Sequence, residues 1–474
     1  MIAECNRESF GFHALGRRKV VARFDGGHIS SDAGGLLLRE TERVTGIVHQ
    51  FAACFTDHRD PERIEHTVKE LVAQRVYALA LGYEDLNDHD DLRHDPLLAV
   101  LVGKKDPLGQ TRGRARDRGK ALAGKSTLNR LELTPVRANA KSRYKKITVD
   151  GEAVNAFFVD VFRQSFRKPP ARIVLDLDAT DDPIHGHQLG RFFHGYYKNY
   201  CYLPLYIFCG EHLLCARLRP SDIDASAGSV KELRRIVGRI RQQWPDVRVV
   251  IRGDSGFCRE QIMCWCEANH VDFVLGLAKN DRLVGEIETE LAQAKQQFKE
   301  TSESARVFKD FSYQTRDSWS RSRRVVGKAE HLAKGANPRF VVTSLSAEAY
   351  DARSLYEEEY CARGDMENRI KEQQLCLFAD RTSAATMRAN EQRLWFASVA
   401  YTLMAALRRL GLKDTEMAQA RCDTIRLKLL KIGARIRVTV RKVWISLTES
   451  CPYQHLFAQV RDNLARLSPI RLRC

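Results

Sequence analysis

Residues 172–182 read RIVLDLDATDD, and the fold turns on this stretch. Ile173, Val174, Leu175 and Leu177 make a short β-branched and leucine-rich run that ends in a polar turn, the pattern of a buried central strand. Asp176 and Asp178 are two residues apart, so both project from one face of that strand. An ionised carboxylate there is costly unless a cation neutralises it. Two readings compete at this level. The acids are solvated or paired with Arg172, or they are one part of a site on which further acids converge from elsewhere in the chain.

The sequence on either side favours convergence. A helix over 150–166 leads into the strand, and two more strands follow at 203–209 and 212–218, separated only by Gly210 and Glu211, a hairpin signal. Helical spacing at Leu233, Ile236, Val237 and Ile240 marks a helix over 229–244. A fourth apolar strand, 247–254 (VRVVIRGD), again ends in an aspartate, Asp254, and a helix over 259–269 and a strand over 272–278 complete the set. The order β-β-β-α-β-α-β is that of a ribonuclease-H-like domain. There the first and fourth strands are neighbours, which predicts that Asp178 and Asp254 meet.

A third carboxylate is expected on the helical segment 355–377. At roughly 100° per residue, Tyr360, Arg363, Glu367, Lys371 and Gln374 fall on one polar stripe. A solvated helix face is the plain alternative. One acid among two bases and a tyrosine instead suits a metal ligand beside a phosphate-binding surface.

Composition sets the wider frame. The chain has 474 residues, 44% apolar and 29% charged, with a formal net charge of +17. This is a globular composition for two to four domains, and the basic excess suggests a polyanion, most simply nucleic acid. No window approaches the roughly eighteen apolar residues of a membrane span, and the first residues lack a signal-peptide core. A soluble cytoplasmic protein is the expectation. The thirteen cysteines are dispersed, several in apolar runs, and read as buried reduced thiols. Cys258, Cys264, Cys266 and His270 lack the paired spacing of a zinc site. Asp88, His89, Asp90 and Asp91 read as a polar loop, solvated or capping.

Much of the positive charge lies in residues 104–146, with fourteen Lys and Arg against three acids, Asp106, Asp117 and Glu132. This Gly- and Arg-rich segment is expected to lie along phosphates through Arg112, Arg114, Arg116, Lys120, Lys125 and Arg130. Gly119, Gly124, Lys125 and Ser126 match a P-loop letter for letter, but a P-loop needs a buried strand before its first glycine, and TRGRARDR is no strand. A helix over 127–132 capped by Ser126 is predicted instead, with no nucleotide cofactor.

At this point the chain resembles the DDE transposases of bacterial insertion sequences. Asp178-Ala179-Thr180, Arg252-Gly253-Asp254-Ser255-Gly256 and Tyr360-x-x-Arg363-x-x-x-Glu367 look like their three catalytic blocks, and His185-Gly186-x-Gln188 with the aromatic stretch 195–204 looks like the subgroup with a Tyr-Arg-Glu-Lys signature. The resemblance covers roughly residues 24–467. One departure stands out. The family's lysine often lies seven residues after the glutamate, where this chain has Gln374, while Lys371 lies on the same helical face.

The resemblance implies an α/β chain: a ribonuclease-H-like catalytic domain with a mostly β insertion, preceded by a helical N-terminal DNA-binding region. The divisions read as a helical region 1–103, the basic segment 104–146, the catalytic domain in two parts, 147–282 and 346–410, an insertion 283–345, and a C-terminal region 411–474. Asp254 and Glu367 are 113 residues apart, too far for the domain's own connection, which is why an insertion is expected. The long helix expected after Glu367 has an apolar face for packing on the sheet, and 435–447 reads as a hairpin with one basic face.

Phosphodiester hydrolysis has a high barrier, because one oxygen must attack an anion, and two Mg²⁺ ions lower it. Magnesium favours carboxylates over Cys or His. The resemblance therefore implies that Asp178, Asp254 and Glu367 are the catalytic metal ligands, with Mn²⁺ able to substitute. Tyr360, Arg363 and Lys371 would orient double-stranded DNA, and a homodimer would form on DNA to join two element ends. Asp176, Asp181 and Asp182 are rival first ligands; Asp178 is preferred for its place before Thr180. A catalytically silent DNA-binding regulator and a structure-specific nuclease remain as alternatives.

Overall fold

The computed structural model describes residues 9–469, which divide into two compact units. Of the described residues, the first unit combines 9–150 with 399–469, and the second is 151–398.

The second unit is built on a mixed nine-stranded sheet. Its main strands are β1 (Arg172–Ala179), β2 (Leu205–Cys209), β3 (His212–Arg217), β4 (Arg248–Gly253), β5 (Asp272–Leu277), β6 (Ala305–Tyr313), β7 (Arg323–Leu332) and β8 (Arg339–Thr343). They lie in the order β3-β2-β1-β4-β5-β8-β7-β6, and the two-residue strand Gly335–Ala336 pairs with β7. The first and fourth strands are neighbours, as expected. They run parallel with Arg252 opposite Asp176 and Gly253 opposite Leu177.

Strand alternation sorts the side chains of the central strands. On one face Ile173, Leu175 and Leu177 of β1 join Val249 and Ile251 of β4, and Leu233, Ile236 and Ile240 of helix α2 (Ser229–Arg241) pack onto them with Phe162 of helix α1 (Gly151–Gln164). On the other face Val174, Val250, Val274 and Val341 pack beneath Leu355 and Tyr356. Asp176 and Asp178 alternate with the first set, and so belong to the second face.

The strands of residues 283–345, the segment expected as an insertion, extend the edge of the sheet. β8 pairs antiparallel with β5, and β7 and β6 follow outward. The local reading of strands in this segment holds, but their edge pairs with β5. Val325, Val342 and Phe340 thereby share the apolar core of the central strands.

The segment expected to be helical over 355–377, apart from Gly364, is helical but irregular. A π turn at Leu355–Tyr360 and a 3₁₀ turn at Cys361–Arg363 precede helix α3 (Gly364–Lys371), and a second π turn covers Glu372–Cys376. The long helix Met387–Leu410 follows, with Leu394, Phe396, Val399, Leu403 and Leu407 buried as expected. Trp395 donates its indole N–H to the carbonyl of Ala216 in β3.

The helices of the first unit include Leu36–Thr45, Ile47–Ala52, Val68–Leu81 and Pro96–Val102, with a full capping box between Thr67 and Glu70 and with Asp95 accepting from the amides of Leu97 and Leu98. The N-terminal region is not wholly helical, however. Ser9–Leu15 and Arg18–Arg23 form an exposed hairpin, and His28–Ser30 pairs with Ala434–Val438 of the C-terminal hairpin. Gly34 lies so close to the Leu429 carbonyl that a Cβ would stand 1.7 Å from its oxygen, so the approach requires glycine. The C-terminal hairpin itself, Ala434–Val438 with Val443–Leu447, is as predicted.

Leu175 is fully buried between the sheet and its helices. Leu175→Ala is expected to destabilise the protein by about 2–5 kcal/mol through lost burial and a residual cavity, read as a lowered denaturant midpoint.

Candidate functional site

The in-register pairing of β1 and β4 builds the site. Extending the observed register by one residue places Asp254 level with Asp178 at the ends of two adjacent parallel strands. Asp178 is the penultimate residue of β1, and the backbone turns directly after Asp254. Asp178 accepts a hydrogen bond from the Ala179 amide, and Asp254 caps the 3₁₀ turn Ser255–Phe257 by accepting from the Gly256 amide.

The broken helix supplies the third acid. Met366 and Ile370 are buried, which turns Glu367 and Lys371 toward the strand ends. Asp178, Asp254, Arg363, Glu367, Lys371 and Gln374 line one cleft of about 580 Å³. Tyr360 reaches the same strand ends by another path. Gly276 of β5 leaves room for the phenol, since a Cβ there would stand 2.5 Å from Tyr360 Oη and 3.2 Å from the Asp254 backbone carbon.

Arg363 joins the acids. Its guanidinium lies 2.6 Å from Glu367 Oε1 and 3.8 Å from Asp178 Oδ2. Burial pushes the Asp178 carboxyl up to about 7; Arg363 opposes that shift, while Asp254 and Glu367 add to it. Three carboxylates facing one cleft repel one another, and a cation offsets that cost.

The rival ligands have structural partners. Asp176 is buried in a two-pronged pair with Arg252, at 2.5 and 2.9 Å, and Arg252 also donates to the Glu359 carbonyl at 2.5 Å. Glu359 in turn binds Arg172. Asp182 is fully buried and accepts from the Gln374 amide, and Asp181 accepts from Asn199. Gln374 thus anchors the segment after β1, while Lys371 is exposed at the cleft.

Among the described residues no three His, Cys, Asp or Glu side chains stand together in a group able to hold a metal ion. The chemistry of the donor set nevertheless fits a hard divalent cation, being all carboxylate. The place between Asp178 and Glu367 already holds a positive charge, that of Arg363. Metal binding there requires Arg363 to move aside.

The basic segment lies in the first unit. Arg112 is committed to Glu65 and His66, Lys120 donates to the Arg116 carbonyl, and Arg130 lies over the Tyr144 ring. Arg114 and Arg116 are exposed. Residues 104–124 contain turns but no strand, so the P-loop look-alike has no P-loop context. Its helix, Lys125–Glu132, begins before the expected position with Gly124 at the cap, and Ser126 caps nothing. Lys125 instead pairs with Asp90 at 3.3 Å. The nearby cluster expected in a loop is a short helix, His89–Leu92, in which His89 is buried against Gln74.

The thiols of Cys209, Cys215 and Cys258 are pushed up to about 12 by burial, in line with inert packing. Among the described residues no helix is long and apolar enough to cross a membrane.

Compared with known families, residues 12–469 match the transposase DDE domain, group 1. The chain belongs to this family. Membership makes DNA the substrate of this DDE-family protein, transposition its process and phosphoryl transfer its chemistry. No curated protein matches it. Sequence reasoning missed two features of the site in this transposase. Arg252 was legible only as part of a motif, because its pairing partner lies 76 residues away. The cleft wall formed by His194, Tyr196 and Tyr197 gave only an aromatic-rich stretch without an assigned role.

Two outcomes are expected. Arg252→Met leaves Asp176 buried and unpaired, and should cost about 3–5 kcal/mol in unfolding free energy. For Asp178, a carboxyl raised above its unfolded value stabilises the fold most at low pH, and that contribution is lost as pH rises from about 4 through 7. Asp178→Asn should therefore flatten the loss of stability over this range and raise the denaturation midpoint of the metal-free protein near pH 8.

Proposed function

We propose that this chain is a cut-and-paste transposase of a bacterial insertion sequence, with Asp178, Asp254 and Glu367 as its catalytic carboxylates on a ribonuclease-H-like domain. The observation that carries the reading is the β1–β4 register, which levels two aspartates at a cleft to which α3 adds the glutamate and the turn before it Arg363. The three acids would hold two Mg²⁺ ions, or Mn²⁺ in their place, which would activate the attacking oxygen and stabilise the leaving one.

The remaining groups divide the work of holding DNA. Arg363 offers a planar fork suited to a phosphate, and Lys371 adds a mobile charge at the cleft. Tyr360 carries a hydroxyl at the Asp254 strand end. The same cleft would serve both steps: water releases a 3′-hydroxyl at the element's end, and that hydroxyl then attacks a target phosphodiester. The basic segment, through the exposed Arg114 and Arg116 and the neighbouring Lys120, Lys125 and Arg130, is proposed to track the duplex backbone. Arg112 supports that segment from within. Because two ends must be joined, the active species is a homodimer on DNA.

The test is Mg²⁺-dependent cleavage of duplex DNA carrying the gene's own flanks. The native protein should cut at the element boundary, and Asp254→Asn should fall to background while binding the same DNA. Boundary binding without cutting by either protein would favour a silent regulator, and cutting without strand transfer would favour a nuclease.

A further inference from the structure

Residues Phe192–His194 and Asn199–Tyr202 form a hairpin whose second strand pairs with Asp182–Pro183, just beyond the end of β1. It is fixed at three points. The Tyr197 hydroxyl donates to the Ala179 carbonyl at 3.1 Å, Asn199 donates to Asp181 at 2.9 Å, and the Tyr202 hydroxyl donates to the Leu189 carbonyl at 2.7 Å. The first contact ties the hairpin to the residue after Asp178.

This anchored element exposes a cluster of rings. Tyr196 is 83% exposed and Phe193 58%, with Phe192 and Tyr200 each more than two-fifths exposed. Tyr196 stands edge-on to Tyr197, with ring centres 5.0 Å apart, and both line the catalytic cleft with His194. The imidazole Nδ1 of His194 is buried without a hydrogen-bond partner. Cations flank the rings: Arg191 lies 4.6 Å from the Tyr200 ring centre, and Lys198 occupies the hairpin tip in the left-handed region at φ 56°.

Rings left in water on an element this firmly tied are placed for a ligand with a flat face, and the flanking cations favour an anionic one. Inside a duplex every base face is covered by its neighbours. A base face becomes available only where the helix is opened, at a strand end or a nick, and aromatic side chains stack on such bases with little regard to sequence. Resting on the DNA-cleaving reading of the cleft, we propose that the 192–200 hairpin is a stacking platform for an unpaired nucleobase beside the scissile phosphate, with Tyr196 as its principal ring.

The experiment uses the full chain without Mg²⁺, so that no cleavage intervenes. Two duplexes of the same sequence serve as probes, one blunt and one with a short single-stranded 3′ overhang containing 2-aminopurine. The native protein should bind the overhang duplex about 5- to 150-fold more tightly than the blunt one, the range expected for one stacked base. The 2-aminopurine fluorescence should be quenched on binding. Tyr196→Ala should lose both the preference and the quenching while keeping its affinity for the blunt duplex, and Tyr196→Trp should retain both. Equal binding of the two duplexes by the native protein would overturn the proposal, as would an equal loss on both duplexes in Tyr196→Ala. The readout needs no catalysis. A native protein that shows the preference but never cuts DNA would overturn the cleavage reading and leave the platform standing.

Discussion

The active face of the second unit depends on one buried ion pair. Arg252 and Asp176 face each other across two parallel strands, and the same guanidinium holds the Glu359 carbonyl in the π turn above. Burying two charges costs several kcal/mol, and a pair of apolar residues could stabilise the core as well. What the apolar pair could not do is fix the helical segment to the strand ends. The bond to Glu359 sets the position from which Tyr360, Arg363 and Glu367 are presented, and Glu359 closes the network by binding Arg172 at the start of β1.

The cleft carries charge that the fold alone does not need. Asp178 is held partly buried beside two other carboxylates, which is unfavourable for stability. Arg363 relieves part of this by lying between Asp178 and Glu367. A site so arranged is strained toward accepting cations, and the residue that now supplies the cation is also the one best shaped to grip a phosphate. Gln374 and Asn199 bind Asp182 and Asp181, and of the neighbouring aspartates Asp178 lines the cleft.

Much of the site was legible from local pattern. The alternation in RIVLDLDATDD placed Asp176 and Asp178 on one face, and the second strand ending in aspartate announced Asp254, because hydrophobic periodicity reports which face of an element is buried. The stripe of Tyr360, Arg363, Glu367, Lys371 and Gln374 was also legible, although the helix is interrupted by π turns that local pattern does not reveal. Where the strands of the segment 283–345 would pair was not legible, for a different reason. Whether strands form their own layer or continue a neighbour's edge depends on pairing across long sequence separations, here between Leu277 and Phe340. The exposed N-terminal hairpin, fully open to solvent along both strands, lacked the burial that gives a strand its alternating signature.

By itself the sequence determined the nature of most elements of the second unit, the basic excess, and the candidate acids with their flanking Tyr and Arg, because these follow from side-chain chemistry and short-range periodicity. Tertiary structure alone decided which of four neighbouring aspartates faces the cleft. Asp176 is neutralised by Arg252, while Asp181 accepts a hydrogen bond from Asn199 and Asp182 one from Gln374, all partners distant in sequence. It also decided that the aromatic hairpin stands at the cleft wall, since the bond from Tyr197 to Ala179 joins segments whose proximity no local pattern encodes.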